Sequence, residues 1–457
     1  MLLRKQELTW LEGKFNSERA ELIILYGRRR QGKTTLILEF LRGKKAVYLY
    51  TPRGSIDKIL ETFAQAIKSQ LGIKIYGKIN TFREFLEVIY DASKNERIVI
   101  AIDEFQRVAE ADETAVSILQ DFWDRKLKNT KIFLILIGSL VGMMEKIALK
   151  GDAPLFGRKT GKLKLSPLPY YRARKFWLKL NPEERIAAYG IFGGTPAYMD
   201  VYDFSKDFWS NVKEEIISKN GRLNDEPEQI LAEELRSPTV YMAILERIAE
   251  GKRGLPLSKI KVGSANVVPY LKVLERMDII ERILPLGEKR KSIYSFKDEF
   301  FRFWFKYIWP NYWLIEMGRY DVILEEIKTS LNDYLSYTWE KVLRETISLS
   351  LGKKIFGVKI PIVKSIGPYW KNELEVDVLG IGKDIIIVGE AKWENKKLGL
   401  KEVGKVINKA ELLAEKFGKK NYLVIIASKS GFKQEYEEKN ILLWTLEDIE
   451  RILDSFS

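Results

Sequence analysis

Two sets of residues in this 457-residue chain have the types and spacing to do chemistry. The first is Gly27-Arg28-Arg29-Arg30-Gln31-Gly32-Lys33-Thr34, with Thr35 directly after it, where an apolar run gives way to helical periodicity. Glycines at this spacing let backbone N–H groups turn inward around phosphate oxygens, a lysine reaches the outer phosphates, and a hydroxyl meets magnesium. Gly27, Gly32, Lys33 and Thr34 fill those parts, and Arg28, Arg29, Arg30, Gln31 and Thr35 complete the nucleotide-binding stretch. About 70 residues on, Ile98-Val99-Ile100-Ala101-Ile102 ends in Asp103 and Glu104. Asp103 suits a magnesium ion held through its water shell, and Glu104 suits orienting and deprotonating an attacking water. The combination points to binding and hydrolysis of ATP or GTP. Ser139, after the apolar run ending Ile137-Gly138, is placed to sense a γ-phosphate from the side. Arg158 either supplies positive charge to the transition state, in its own subunit or a neighbour's, or is one member of a basic run.

The second set lies near the C-terminus. Asp377 sits in Leu374-Glu375-Val376-Asp377-Val378-Leu379, and Glu390-Ala391-Lys392 follows thirteen residues later at the end of an apolar run. Period-two geometry puts Glu390 and Lys392 on one face of a strand. Two neighbouring carboxylates such as Asp377 and Glu390 can hold a divalent ion on a scissile phosphate while the lysine positions water. Glu340, in Thr338-Trp339-Glu340-Lys341 on a preceding amphipathic stretch, completes the set. Surface charges at strand ends are the plain alternative.

The elements that must position these residues are legible as hydrophobic rhythm. Leu22 to Tyr26, Ala46 to Tyr50, Ile98 to Ile102, Ile132 to Ile137 and Leu163 to Leu165 are near-continuous apolar runs alternating with helical periodicity. Such runs leave no solvent face, which predicts a parallel sheet covered on both sides and an α/β class. A helical stretch reaches about Asn220. Tyr241 to Ala249, Leu257 to Ile260 and Ala265 to Met277 then read as three helices, followed by a hairpin of Ile279 to Leu284 and Ser292 to Phe296 turning from Gly287. That is the order of a winged helix-turn-helix with Ala265 to Met277 in the recognition position. The segment carries only Lys272 and Arg276 as bases, against Glu275, which is sparse for groove reading and leaves a packing role open. Phe300, Phe301, Phe303, Trp304 and Phe305 are too dense for one exposed face and read as packing. Beyond about residue 330 the expected order is helix, strand, strand, helix, strand, helix, with strands at Leu374 to Leu379, Ile385 to Ala391 and Tyr422 to Ala427.

Composition bounds the partners. The formal net charge is +14, which favours a polyanion, and eight Lys or Arg with no acid fall between Gly157 and Leu180. This run is either a solvated face or a phosphate-backbone contact. With no Cys and no His, the usual zinc ligands are missing and any metal is held by oxygen, which means magnesium or manganese. The longest uncharged apolar stretch, Ile132 to Met144, is shorter than the roughly 20 residues of a membrane span. Arg4, Lys5 and Glu7 occupy the place where a signal peptide would be apolar, so a cytoplasmic location without membrane attachment is expected. Abundant Lys and Glu without Cys resemble proteins from hot environments.

Arg28-Arg29-Arg30, Asp103-Glu104, Gly138-Ser139, Pro154-Leu155-Phe156-Gly157-Arg158, Leu165-Ser166-Pro167-Leu168 and Gly193-Gly194-Thr195-Pro196 together resemble the archaeal ATPases related to AAA+ and STAND proteins, over roughly residues 1 to 300. The resemblance implies a five-stranded P-loop core with a helical lid and winged helix, adenine as the base, and Gly194 and Pro196 near that base. The order Glu340, Asp377, Glu390-Ala391-Lys392 resembles the PD-(D/E)xK nucleases, with Val376 where a Pro commonly precedes the Asp. It implies a restriction-endonuclease-like α/β domain. The expected organisation is a P-loop ATPase core over 1–180, a helical lid segment over 181–235, a winged helix over 236–305, a connecting helix over 306–330 and the nuclease-like domain over 331–457. The expected function is an ATP- and Mg2+-dependent ATPase acting on DNA, as a monomer or homo-oligomer, with a nuclease-like domain using Mg2+ or Mn2+. An ATP-switched regulator whose last domain binds without cutting is the alternative, and a protein remodeller with an incidental basic surface is a third reading.

Overall fold

The computed structural model describes residues 3–434, 436 and 438–456. The chain divides into two compact units, the first ending at Ser166 and the second beginning at Pro167.

The first unit is built on a five-stranded parallel sheet ordered β2-β3-β4-β1-β5, with β1 Glu21–Tyr26, β2 Ala46–Tyr50, β3 Val99–Asp103, β4 Phe133–Gly138 and β5 Gly161–Lys164. Alternate residues of β1 enter opposite cores. Leu22 and Ile24 pack in one cluster with Phe63, Phe85 and Phe122, while Ile23 and Leu25 pack in another with Leu36, Phe40 and Phe133. A strand buried on both faces must be apolar at every position, which explains the unbroken Leu-Ile-Ile-Leu run. The helix Phe82–Ser93 begins where Thr81 accepts a hydrogen bond from the Glu84 N–H, which satisfies one of the donors orphaned at a helix start.

The second unit opens with short helices. Pro182–Phe192 begins at a capping box of Asn181 and Glu184, with Pro182 at its first turn. The helix Pro238–Ala249 is followed by β6 Leu255–Pro256, a 3₁₀ turn, the helix Val268–Arg276, β7 Ile280–Ile283 and β8 Ile293–Phe296, with strand order β6-β8-β7. The helix expected from Ala265 begins only at Val268, because Pro269 pre-sets the backbone of its first turn. Phe300, Phe301, Phe303, Trp304 and Phe305 are all buried, as their density requires. One helix, Tyr320–Ser350, then runs unbroken through residues 330 and 331.

After this long helix come two short antiparallel strands, β9 Lys354–Ile355 and β10 Val358–Lys359. A five-stranded mixed sheet follows, ordered β11-β12-β13-β14-β15: β11 Ser365–Lys371, β12 Leu374–Ile381, β13 Ile385–Lys392, β14 Asn421–Ser428 and β15 Ile441–Thr445. The pairs β11-β12 and β12-β13 are antiparallel, and β13-β14 and β14-β15 are parallel. The helix Leu400–Lys416 covers one face through Val403, Val406, Ala410 and Leu413. The long helix meets the other, where Trp339 Nε1 donates to the Ala427 carbonyl. The expected order omits the short β9 and β10 as well as β11 and β15. β11 breaks register near Pro368, and Ile441–Thr445 is too short to stand out beside the helix that follows it. No helix among the described residues is long and apolar enough to cross a membrane.

Candidate functional site

The loop from Gly27 to Thr34 connects β1 to the helix Lys33–Leu41. Gly32 precedes that helix at φ 78°, a left-handed conformation that glycine adopts without strain. Gly27 at φ 151° lies so close to β5's neighbour that a Cβ would collide with the Leu165 carbonyl, so the backbone curls tightly there. Lys33 Nζ donates to the Gly27 carbonyl at 2.6 Å and to that of Arg28 at 3.0 Å, which holds the ammonium across the loop. Arg4 braces the loop from outside, donating at 3.0 Å to the Gln31 carbonyl and at 2.7 Å to that of Ser166. The sequence reading used Arg4 only as a charge near the N-terminus.

Strand order brings the carboxylates to this loop. β1 and β3 both flank β4, so the C-terminal ends of all three open on one edge of the sheet. Thr34 Oγ1 donates to Asp103 Oδ2 at 3.3 Å. Tyr48, on β2, also donates to Asp103 Oδ2, and burial and that bond push its hydroxyl pKa above the ordinary value. Ser139 Oγ donates to Glu104 Oε2 at 2.8 Å, and Gln106 donates to the same oxygen. Glu104 is held at φ 56°, a left-handed backbone that a non-glycine residue adopts at a cost of about 1–2 kcal/mol. Strain of this kind persists where surrounding structure over-determines it, and it clusters at reactive positions. Tyr48 and Gln106 escaped the sequence reading because a Tyr in a strand and a Gln in a helix carry no motif.

A tight glycine turn opening a helix of nine residues, with a lysine across it and a hydroxyl facing a buried carboxylate, fits a nucleoside triphosphate with Mg2+. Thr34 and Asp103 would hold the cation, and Lys33 and the backbone from Gly32 to Thr35 the phosphates.

Other expected members are engaged elsewhere. Arg158 makes a two-pronged ion pair with Asp124, at 2.9 Å and 3.2 Å, and donates to the Pro154 carbonyl. Gly194 and Pro196 lie in the second unit, where the Gly194 carbonyl accepts from Leu168 N–H at 2.7 Å and Pro196 opens a short helix. Within the basic run, Arg174 is fully buried and paired with Glu450 and Asp454. It is neither on a solvated face nor available to a phosphate.

The second set of residues converges in the second unit. Asp377 ends one side of the β12-β13 pair and accepts from the Ala391 N–H at 2.8 Å. Lys392 Nζ and Lys409 Nζ bond Glu390 Oε1 at 2.8 and 3.1 Å, so Glu390 and Lys392 do share a face. Glu390 Oε2 is buried with no hydrogen-bond partner among the described residues. Glu340 comes from the long helix, and with Asp377 and Glu390 it lines a cavity of about 570 Å³. Burial, then the charges of Glu340 and Glu390, push the Asp377 carboxyl up to about 7. Arg253, unmarked in the sequence reading, reaches into the cluster and bonds Glu340 at 2.5 Å and Asp377 at 2.9 Å, and it also pairs with Glu375. Among the described residues no group of three or more Asp or Glu could hold a metal ion, so a cation here would rest on two carboxylates and water, as Mg2+ commonly does. A buried carboxylate cluster that already holds one cationic group, with an orphaned oxygen beside it, nevertheless fits a divalent ion on Asp377 and Glu390.

Comparison with known proteins finds an archaeal ATPase family. Residues 2–201 match a family described as an ATPase domain predominantly from Archaea, and residues 304–406 one described as Archaea bacterial proteins of unknown function. An uncharacterized protein of Methanocaldococcus jannaschii is 33% identical over 455 residues, covering 97% of this chain and 99% of that protein. An uncharacterized ATP-binding protein of Pyrococcus horikoshii is 27% identical over 231 residues, 43% of this chain and 72% of that protein. Among solved structures, the Walker-type ATPase of Pyrococcus abyssi aligns at a TM-score of 0.47 and 21% identity, over 66% of this chain and 95% of that one. The Aeropyrum pernix ORC2 protein in its ADPNP-ADP complexes aligns at 0.40 and 16%, over 72% and 96%. The family match supports an ATP-binding, ATPase-like function for this chain.

Proposed function

Because this chain belongs to the archaeal ATPase family, we propose that it hydrolyses ATP with Mg2+ to act on DNA, and that its output is a metal-dependent nuclease-like domain at the C-terminus. The observation that supports hydrolysis is the pairing of Glu104 with Ser139 at 2.8 Å beside the Thr34–Asp103 contact. Lys33 and the loop backbone bind the phosphates, Thr34 and Asp103 hold Mg2+, and Glu104 takes the proton from the attacking water. Ser139 keeps the Glu104 carboxylate aimed and is positioned to pass on the state of the γ-phosphate. The cation's part is to neutralise charge developing on the phosphoryl oxygens.

The nuclease-like reading rests on Asp377, Glu390 and Lys392 meeting at the mixed sheet's end, with the Glu390 Oε2 orphan and a cavity large enough for a sugar-phosphate unit. Lys392 would position the attacking water, and Lys409 would neutralise the strand's phosphate. The net charge of +14 and the helix–sheet unit from Pro238 to Phe296, read as a winged helix, support a nucleic-acid partner. Purified protein with Mg2+ or Mn2+ should nick DNA, and Asp377→Ala or Lys392→Ala should not. Equal inertness of wild type and variants on linear, circular and branched DNA would exclude cutting.

One observation favours the alternative, an ATP-switched regulator that binds without cleaving: Arg253 already holds Glu340 and Asp377.

A further inference from the structure

We propose that Arg253 is a latch which competes with a divalent cation for Glu340 and Asp377, so that the turn carrying it governs metal entry to the C-terminal site. The inference rests on the metal-site reading of Asp377 and Glu390 above.

The turn is Gly251-Lys252-Arg253-Gly254, between the helix Pro238–Ala249 and β6. It closes with the Gly254 N–H on the Gly251 carbonyl at 3.1 Å. Both glycines are required by space. A Cβ on Gly251 would strike the Gly254 carbonyl, and one on Gly254, at φ 108°, would strike the Tyr294 carbonyl on β8. The backbone is thus pressed against the sheet, and the two basic side chains project from a fixed base.

Those side chains grip one face of the long helix. Lys252 pairs with Asp333 at 2.5 Å and Arg253 with Glu340 at 2.5 Å, and acids seven residues apart lie on the same side of a helix, two turns along. Arg253 goes further, to Asp377 Oδ1, while Asp377 Oδ2 accepts from Ala391. The guanidinium therefore takes the charge-neutralising position between two buried carboxylates that an ion on Asp377 would need. Arg253 Nε is itself buried without a hydrogen-bond partner among the described residues, so within them the arginine is held by its terminal nitrogens. One terminal nitrogen, Nη2, bridges Glu340 and Asp377 while Nη1 pairs with Glu375, a planar fork that lysine does not present. A cation that enters must displace it, and a partner that lifts the turn away from β8 releases the acids. Glu390 keeps its two lysines throughout, which leaves the rest of the site assembled.

The test is Mn2+ binding to the full-length protein without nucleotide, followed by calorimetry or electron paramagnetic resonance, in wild type, Arg253→Ala, Asp377→Asn and the double variant. The latch requires Arg253→Ala to bind Mn2+ at least tenfold more tightly than wild type, at a site that Asp377→Asn removes. Equal affinity in wild type and Arg253→Ala, with the site still lost on Asp377→Asn, overturns the latch and leaves the metal site standing. No Mn2+ at an Asp377-dependent site in either protein overturns both. Should Arg253→Ala fail to fold, Arg253→Gln keeps a long hydrogen-bonding side chain on the turn but removes the positive charge that pairs with Glu340 and Asp377. It must tighten Mn2+ binding at least twofold, and an unchanged affinity overturns the latch.

Discussion

Ser139 donates a 2.8 Å hydrogen bond to the carboxylate of Glu104, and that bond ties the end of β4 to the residue after β3. If Glu104 is the general base, Glu104→Gln should lower kcat for ATP hydrolysis by about 10²–10⁴-fold with little change in KM. Ser139→Ala removes only the aim of the base and should cost about tenfold in kcat. Phosphate release under steady-state conditions reads both, and a loss confined to KM would contradict the assignment.

Binding should depend on the loop independently of chemistry. Lys33→Ala should abolish measurable ATP binding in a filter or calorimetric assay. Gly27→Ala should do the same and also destabilise the fold, because its Cβ would meet the Leu165 carbonyl at a positive φ. Wild-type affinity in Gly27→Ala would mean the loop is not the phosphate cradle.

Tyr48 gives a sharper test of Asp103. Its hydroxyl and that of Thr34 converge on one oxygen, Asp103 Oδ2. Tyr48→Phe should raise the Mg2+ concentration needed for half-maximal turnover severalfold while leaving nucleotide binding in EDTA unchanged. An unchanged Mg2+ dependence would place Tyr48 outside the site.

Asp377 and Glu345 should each contribute a fall in stability as pH rises through the mildly acidic range. Asp377 is pushed from 3.8 to about 7 by burial and by Glu340 and Glu390, and desolvation raises Glu345 from 4.5 to about 7 against two backbone N–H donors. Between about pH 4 and pH 7 these two groups hold protons in the folded chain that the unfolded chain releases, so their contribution to ΔG of unfolding drops with rising pH, by at most about 1.4 kcal/mol per pH unit for each group. Asp377→Asn should remove its share of that slope in denaturant titrations from pH 4.5 to 7. An identical slope in the variant would rule out a proton on Asp377.

Arg174 should behave as architecture. It is buried against Glu450 and Asp454, with Arg185 on the same Glu450. Arg174→Ala should cost about 1–3 kcal/mol in urea unfolding, since it removes one of the two guanidinium partners of the buried Glu450. Any DNA affinity of the refolded fraction, and its salt dependence, should be unchanged; a shallower salt slope would make Arg174 a phosphate contact.

The proposed nucleotide site is legible in the sequence because its parts are local. A phosphate loop needs its glycines and lysine within eight residues, and a strand buried on both faces announces itself as an apolar run ending in the acids it presents. Glu390 and Lys392 were legible for a similar reason, since period two alone puts them on one face of β13. What period and spacing cannot carry is which distant groups arrive at the same point. Only strand order sets Tyr48 on Asp103, and only the packing of the Gly251–Gly254 turn on the long helix delivers Arg253 to Glu340 and Asp377. The basic run between Gly157 and Leu180 makes the same point in reverse. Sequence counts its charges, but burial spends Arg174 on Glu450 and pairs Arg158 with Asp124, because a charge taken out of water must find its partner in the fold.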